Sequence, residues 1–209
     1  MATTPTAEPV QFDLPVIDGF ELEERYRLLL RPDELMPDAT GELRRLPRFF
    51  LEVDSWQTAL TTQLTEHFTL SEFMVVDVRE APALRDFPRH IPCAVTLLAA
   101  QLEMFRREAG APVYISANGG YRTPAHALSD YGSTHCWATA ANIYRIGDEY
   151  LDTRERIEKY GRIASRAMPG CWVRPYGNVK GYADDHLHID IGYVVQIPHG
   201  TPGERAQDL

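Results

Sequence analysis

Three of the seven histidines lie where their side chains could share one site. His186 and His188 are separated by one residue, and side chains at i and i+2 of a strand point to the same face of a sheet. His135 lies near the end of another predicted strand. Imidazoles that meet in one cleft can bind a metal ion or move a proton. A bare His-x-His also occurs on solvated strand faces, so this pair alone is weak evidence for a metal site.

Three short motifs surround these histidines. Ser133-Thr134-His135 is followed, after six further residues, by Asn142, and small residues precede that Asn. The upstream segment is Gly120-Tyr121-Arg122-Thr123-Pro124, which offers a fixed positive charge in a turn. The downstream segment is His188-Ile189-Asp190.

In this order the motifs resemble those of the zinc D-Ala-D-Ala carboxypeptidase and L-alanyl-D-glutamate endopeptidase family. Hedgehog-like and lysostaphin-like peptidases share the metal geometry of that family. Its patterns are Ser-x-His with a later acid, Gly-Tyr-Arg-Ser/Thr-Pro, and His-Val-Asp on a strand, and they match here across roughly residues 67–195. The order of the predicted helices and strands suggests an α+β fold. The resemblance implies that a small antiparallel sheet flanked by helices carries one zinc ion per chain.

The resemblance also implies the metal ligands. His135 and His188 would bind the metal, and Asn142 takes the position of the family's Asp ligand. The amide oxygen of Asn is neutral and usually a poorer zinc ligand than a carboxylate, so we expect a lower zinc affinity or a different divalent metal. Ala138 stands where the family often has Gly, a milder departure.

The remaining roles follow from the same resemblance. Asp185 precedes His188 by three residues and would accept a proton from the metal-bound water, with His186 as a second proton shuttle. Arg122 would stabilise the oxyanion. Two residues are expected to face the substrate: Ser133 and Tyr121.

Ordinary structural roles remain open for several of these residues. Arg122 could be a turn residue that pairs with surface acids, and Asp185 with Asp184 could form a solvated acidic turn. Cys136 follows a predicted ligand, and thiolates bind zinc, copper and iron readily. Since adjacent residues of a strand face opposite sides, Cys136 is better explained as a small buried residue unless its segment is a loop.

Hydrophobic periodicity predicts the elements that position these residues. Apolar stripes indicate helices over 56–68, 93–108 and 153–168, with Gly110 ending the second, and a further short helix before Pro32. Strands are predicted over 112–116, 138–146 and 186–195. We expect a partly disordered N-terminal extension over 1–65, a metallopeptidase-like domain over 66–196, and a C-terminal tail over 197–209.

Composition limits the partners. Of 209 residues, 30 are acidic and 21 basic, which gives a formal net charge of −9 and makes nucleic acid or an anionic membrane an unexpected partner. No apolar stretch approaches the roughly 20 residues that a membrane-spanning helix needs. Residues 1–20 contain no Lys or Arg, and the three cysteines have no CxxC spacing, so we expect a cytoplasmic protein with reduced thiols.

Two functional hypotheses follow. The first is a zinc-dependent peptidase that cleaves a short peptide amide, with a small peptide or muropeptide that contains D-amino acids as the substrate. The second is a repurposed member of the family, either a tailoring enzyme with a different metal or a non-catalytic peptide-binding protein. Asn142 favours the second hypothesis, whereas the presence of Arg122, His135 and Asp185 favours the first.

Overall fold

The computed structural model describes residues 14–178 and 183–198, and these form an α+β fold, as predicted. The predicted mobile start of the chain and most of the predicted tail lie outside the described residues. The strands are β1 (Val16–Asp18), β2 (Leu35–Pro37), β3 (Leu43–Arg45), β4 (Phe49–Glu52), β5 (His90–Pro92), β6 (Val113–Ile115), β7 (Ala140–Ile146), β8 (Glu149–Tyr150), β9 (Trp172–Val173) and β10 (Leu187–Asp190). The helices are α1 (Glu24–Leu30), α2 (Trp56–Thr61), α3 (Pro82–Arg85), α4 (Val95–Ala109) and α5 (Arg154–Ala167).

The largest sheet carries the predicted site. Its strand order is β6-β7-β10-β9, β8 pairs with β7, and every pairing is antiparallel. Side chains alternate along β10, so His188 and Asp190 share one face while Leu187 and Ile189 face the hydrophobic core. Helix α5 packs closely behind that core face, where the Cβ that Gly161 lacks would lie 3.1 Å from Val173.

The N-terminal segment packs into the same core as the rest of the chain. β1 and β4 form a second antiparallel sheet with β5, so residues from the predicted extension pair with residues from the predicted domain. Phe50, Leu51 and Val53 belong to the main hydrophobic cluster. β2 and β3 form a separate hairpin, which lies beside the predicted site.

The two long helices lie where periodicity predicted them, and no helix in the described part of the chain is both long and apolar enough to cross a membrane. Gly110 ends α4 with a φ of 68°, a left-handed conformation that Gly adopts without steric cost. The helix predicted over 56–68 ends instead at Thr61. The chain turns back there, so that Leu64 N donates to Phe68 O while both side chains remain buried.

The predicted strand over 186–195 is also shorter than expected. β10 ends at Asp190, and Gly192 follows with a φ of 81°. That left-handed residue turns the backbone, which allows Gly192 N to donate to the Asp190 carboxylate at 2.9 Å. The turn keeps Asp190 beside His188 at the end of the strand.

Burial of His90 on β5 makes stability depend on pH. Desolvation, opposed by Glu52, lowers the pKa of His90 to about 4, from about 6.5 in an unfolded chain. Between these values the unfolded state binds a proton that the folded state does not. The contribution of the neutral His90 imidazole to the free energy of unfolding is therefore complete above pH 6.5 and is lost as the pH falls towards 4. The wild type therefore has a lower free energy of unfolding at pH 5 than at pH 7. We expect this difference to be about 2 kcal/mol smaller in His90→Gln.

Urea unfolding of the wild type and the variant at both pH values measures this difference. Gln57→Ala, which changes an exposed residue of α2 and removes no titratable group, is the matched control. An unchanged pH dependence in His90→Gln would contradict the assignment.

Candidate metal centre

Backbone hydrogen bonds join the glycine-arginine turn to the segment that carries His135. Gly119 O accepts from Asn142 N at 2.8 Å, and Gly120 O accepts from Nδ1 of His135 at 2.7 Å. Arg122 N donates to His135 O at 3.3 Å. Two motifs that are separated in sequence are therefore held together through main-chain groups, which fixes the orientation of the His135 ring.

Neither glycine of this turn has room for a side chain, because backbone atoms of other segments lie too close to it. A Cβ at Gly120 would lie 2.4 Å from the Phe73 carbonyl oxygen, and one at Gly119 would lie 2.7 Å from the Asn142 carbonyl oxygen. Neither backbone atom can move without breaking the hydrogen bonds around it. Any side chain at either position would therefore displace the carbonyl groups that hold His135 and Asn142.

His135 lies on a tight turn rather than at a strand end. Thr134–Trp137 form one turn of 3-10 helix, and Ala138 ends it with a φ of 55°. A Cβ costs energy in this left-handed region, so Ala138 holds a conformation that Gly would adopt more easily. Cys136 is 1% exposed and its thiol donates to Ser129 Oγ at 3.5 Å, so it is a buried residue even though its segment is a turn.

The structure brings His135, His188 and Asn142 together. The two imidazole rings meet edge to face with their centroids 5.2 Å apart. A metal ion bound at 2.0–2.1 Å by one nitrogen of each ring in tetrahedral geometry would place the centroids about 5 Å apart. Asn142 lies directly across from His188 in the pairing of β7 with β10. The spacing of the rings therefore fits a shared metal ion.

The hydrogen bonds of each ring leave one nitrogen free to bind a metal. His135 donates from Nδ1 to the Gly120 carbonyl, so its lone pair is on Nε2. His188 Nε2 lies 3.2 Å from a carboxylate oxygen of Asp190, and this contact is a hydrogen bond when Nε2 carries the proton. The lone pair of His188 is then on Nδ1. A carbonyl or carboxylate behind each imidazole is the usual arrangement around zinc-bound histidines.

The contact between His188 and Asn142 tests whether a cation fits here. His188 Nδ1 and Asn142 Oδ1 are 2.8 Å apart, and burial lowers the pKa of His188 to about 4, so this ring is neutral at pH 7. With the proton on Nε2, a lone pair on Nδ1 repels an amide oxygen at that distance, whereas with the proton on Nδ1 the ring donates to that oxygen. Either a cation bound by both atoms or a turned amide that donates from Nδ2 removes the repulsion. The donor set therefore fits one zinc ion through two neutral imidazoles and an amide oxygen.

Asp185 and His186 form a pair whose geometry differs from the sequence expectation. The Asp185 side chain is 81% exposed, and its carboxylate accepts from Nδ1 of His186 at 2.6 Å. His186 Nε2 is buried and has no hydrogen-bond partner among residues 14–178 and 183–198. Burial lowers the pKa of His186, and the Asp185 carboxylate opposes that shift. With the proton on Nδ1, His186 Nε2 is unprotonated and can accept a proton, while Asp185 orients the ring.

Arg122 and Ser133 lie at the predicted centre. Arg122 is 8% exposed, and its Nη2 donates to Ser133 Oγ at 3.4 Å. Burial lowers the pKa of Arg122 to about 10, which leaves it charged at neutral pH. Arg122 in turn lowers the pKa of His135, whose burial is the larger cause of that shift. Tyr121, expected to face the substrate, is instead 1% exposed and packed in the main hydrophobic core.

A cavity of about 400 Å³ opens beside His188 and includes a residue that the sequence did not indicate. Arg174 lies just beyond β9, and its backbone N–H donates to His188 O at 3.0 Å. The sequence carries no motif around Arg174, and only its place beside β10 indicates a role. Ser133 and Asp190 also line the cavity, together with Trp172 and residues of the β2–β3 hairpin.

A second group of possible ligands lies away from this centre. Within the described residues, Glu66, His67 and Glu103 have donor atoms that all lie within 4.8 Å of one another. The Glu103 carboxylate already accepts from Thr65 Oγ1 at 2.7 Å and from His67 Nδ1 at 2.6 Å. These hydrogen bonds attach the loop after α2 to α4, which explains the group without a metal.

Comparisons of the chain with protein-family models, with curated proteins and with solved structures gave no significant match.

Proposed function

We propose that this protein is a metal-dependent hydrolase that cleaves a short peptide amide, with zinc bound by His135, His188 and Asn142. The observation that carries the proposal is the 5.2 Å separation of the two imidazoles, each held from behind by an oxygen atom. Resemblance to the D-Ala-D-Ala carboxypeptidases makes peptides with D-amino acids, including muropeptides, the first substrates to test.

The residues around the centre supply the proton transfers. His186 Nε2 accepts a proton from the attacking water, and Asp185 stabilises the imidazolium through Nδ1. The same His186 can then donate that proton to the leaving amine. Bound zinc would lower the pKa of water and polarise the scissile carbonyl. Arg122, buried and charged, stabilises the oxyanion.

A cytoplasmic setting is part of the proposal. The three cysteines are free thiols in the described structure, which is the usual state in a reducing compartment. Peptidoglycan precursors and recycled muropeptides are peptides of the proposed class that would be reached there.

A second candidate is a repurposed member of the same family, either a tailoring enzyme with another metal or a peptide-binding protein. Asn142 favours it, because a turned amide can satisfy His188 Nδ1 without any metal. The first candidate predicts peptide hydrolysis whose rate depends on His186 as the proton acceptor. The second candidate predicts no such hydrolysis.

The experiment compares Asp185→Asn with Asp184→Asn in zinc-loaded protein, using D-alanyl dipeptides and muropeptides. An Asn at 185 keeps the size of the side chain but removes the charge that stabilises the His186 imidazolium. We expect kcat to fall about 10²–10⁴-fold while bound zinc stays at the wild-type level. Asp184 is an exposed neighbour and serves as the matched control. Equal rates in the two variants would contradict the mechanism, and no hydrolysis by the wild type would favour the second candidate.

A further inference from the structure

We infer that a groove along α5 binds a phosphate ester that carries an apolar or aromatic group. The groove has a volume of about 650 Å³ and lies between α5 and the segment from β9 to Tyr176. It is separate from the metal centre, because Val173 faces α5 while Trp172 pairs with Asp190 on the other face of β9. Binding in this groove does not depend on the proposed hydrolysis.

The floor of the groove is apolar. Helix α5 and β9 approach each other at Gly161, where a Cβ would lie 3.1 Å from Val173 Cγ1. Gly is unfavourable in a helix interior relative to Ala, but here it leaves the groove open above the aliphatic side chains. Ile157, Val173 and Tyr176 all line the groove. They offer the apolar contacts that a small organic group needs.

A row of charged residues follows the side of α5 that borders the groove. Arg154, Glu158, Arg162 and Arg166 are spaced four apart, so they are neighbours on one face of the helix. Glu158 pairs with Arg154 at 3.1 Å, and the Arg154 guanidinium also lies 4.7 Å from the centre of the Tyr176 ring. Arg162 and Arg166 are therefore adjacent like charges, an arrangement that destabilises a helix.

Three guanidinium groups line the groove without an acidic partner. Within residues 14–178 and 183–198, none of Arg162, Arg166 and Arg174 lies within 4.0 Å of a carboxylate, whereas Lys159 is paired with Glu149 at 2.9 Å. Arg166 is in the last turn of α5, where the helix dipole favours a cation, but this does not account for Arg162. The groove thus carries excess positive charge in a chain whose formal net charge is −9.

The excess charge favours a phosphate ester as the ligand. Near pH 7 a phosphate monoester carries about 1.5 to 2 negative charges on three oxygen atoms, so it can accept hydrogen bonds from more than one guanidinium. The planar guanidinium also matches phosphate with two parallel hydrogen bonds. A volume of about 650 Å³ is within the range of small-molecule pockets. Cations beside an apolar floor therefore fit a small phosphate ester with an apolar or aromatic group.

Calorimetric titration of the full-length protein as purified tests the inference, with phenyl phosphate, inorganic phosphate and phenol as probes. We expect phenyl phosphate to bind at least about tenfold more tightly than either of the others, because it alone offers both the anion and the ring. Arg162→Gln should weaken the binding of phenyl phosphate about tenfold, since it removes one charged donor.

Two control variants locate the bound probe. Arg107→Gln removes an exposed arginine of α4 that does not line the groove, and it should leave the affinity unchanged. Arg162 and Arg107 are both exposed on helices, where Gln is a good helix former, so both variants should fold. Zinc also binds oxygen ligands, so His188→Gln separates the groove from the metal centre and should bind phenyl phosphate as the wild type does.

Four results would overturn the inference: no binding of phenyl phosphate, equal affinity for phenyl phosphate and inorganic phosphate, equal affinity in the wild type and Arg162→Gln, or binding that His188→Gln loses. Because the titration requires no turnover, none of these results counts for or against the proposed hydrolysis.

Discussion

Asn142→Asp should raise the affinity for zinc by about 10–100-fold, because a carboxylate brings a negative charge to a dication that is otherwise held by neutral groups. In the native chain the amide oxygen lies 2.8 Å from His188 Nδ1 and carries no net charge. The amide can also turn and donate to that nitrogen, which competes with metal binding. A carboxylate cannot donate in this way at neutral pH. Competition between the protein and a zinc-sensitive chelator measures the change.

The matched control for Asn142→Asp is Gln57→Glu, which adds the same charge on the exposed face of α2. It should leave zinc affinity unchanged. The direction of the change in activity separates the two candidate functions: a peptidase should gain hydrolysis with Asp at 142, and a repurposed enzyme should lose its native reaction. Equal zinc affinity in the wild type and Asn142→Asp would show that position 142 is not a ligand.

His188→Ala should lower zinc affinity by at least about 100-fold and abolish hydrolysis, because it removes one of two imidazole ligands. His188→Gln is the companion variant, since its amide can still contact Asp190 and fills much of the volume that Ala would leave empty in a site where His188 is 2% exposed. Circular dichroism establishes that each variant folds, and equilibrium dialysis measures bound zinc.

Two further variants test which histidines bind the zinc ion. His135→Gln should behave like His188→Gln, since both rings contribute one nitrogen to the same ion. His67→Gln removes the imidazole of the group formed with Glu66 and Glu103 and should leave zinc binding intact. Zinc loss in His67→Gln with retention in His188→Gln would move the metal to the loop after α2 and contradict the assigned centre.

The sequence predicted the elements and contacts that short-range patterns specify. Helices α4 and α5 follow from apolar periodicity, and the Gly110 stop follows from the freedom of Gly at positive φ. The convergence of His135, Asn142 and His188 was expected from the resemblance that the motifs carry, and the structure brings these residues together. The predicted helix over 56–68 was too long. Leu64 and Phe68 lie in a turn that buries their side chains as well as a helix would, so the apolar spacing did not distinguish the two.

What the sequence did not indicate depends on long-range register and side-chain orientation. Arg174 is next to His188 only because the two-residue strand β9 pairs with β10, and so short a strand has no periodic signal. The hairpin wall of the cavity comes from residues assigned to an extension. Residue spacing does not specify the orientation of a side chain. It therefore could not predict that Tyr121 is buried or that His186 donates to Asp185.

The most direct measurement is zinc K-edge X-ray absorption on protein loaded with one equivalent of zinc. The proposed centre predicts stoichiometric binding, with two imidazole ligands near 2.0 Å, oxygen for the remaining contacts and no sulfur. A single imidazole would indicate the group at Glu66, His67 and Glu103 instead, since it holds one histidine. Sulfur scattering would indicate a cysteine ligand. Either result, or a failure to retain zinc at one equivalent, would contradict a metal centre at His135, Asn142 and His188.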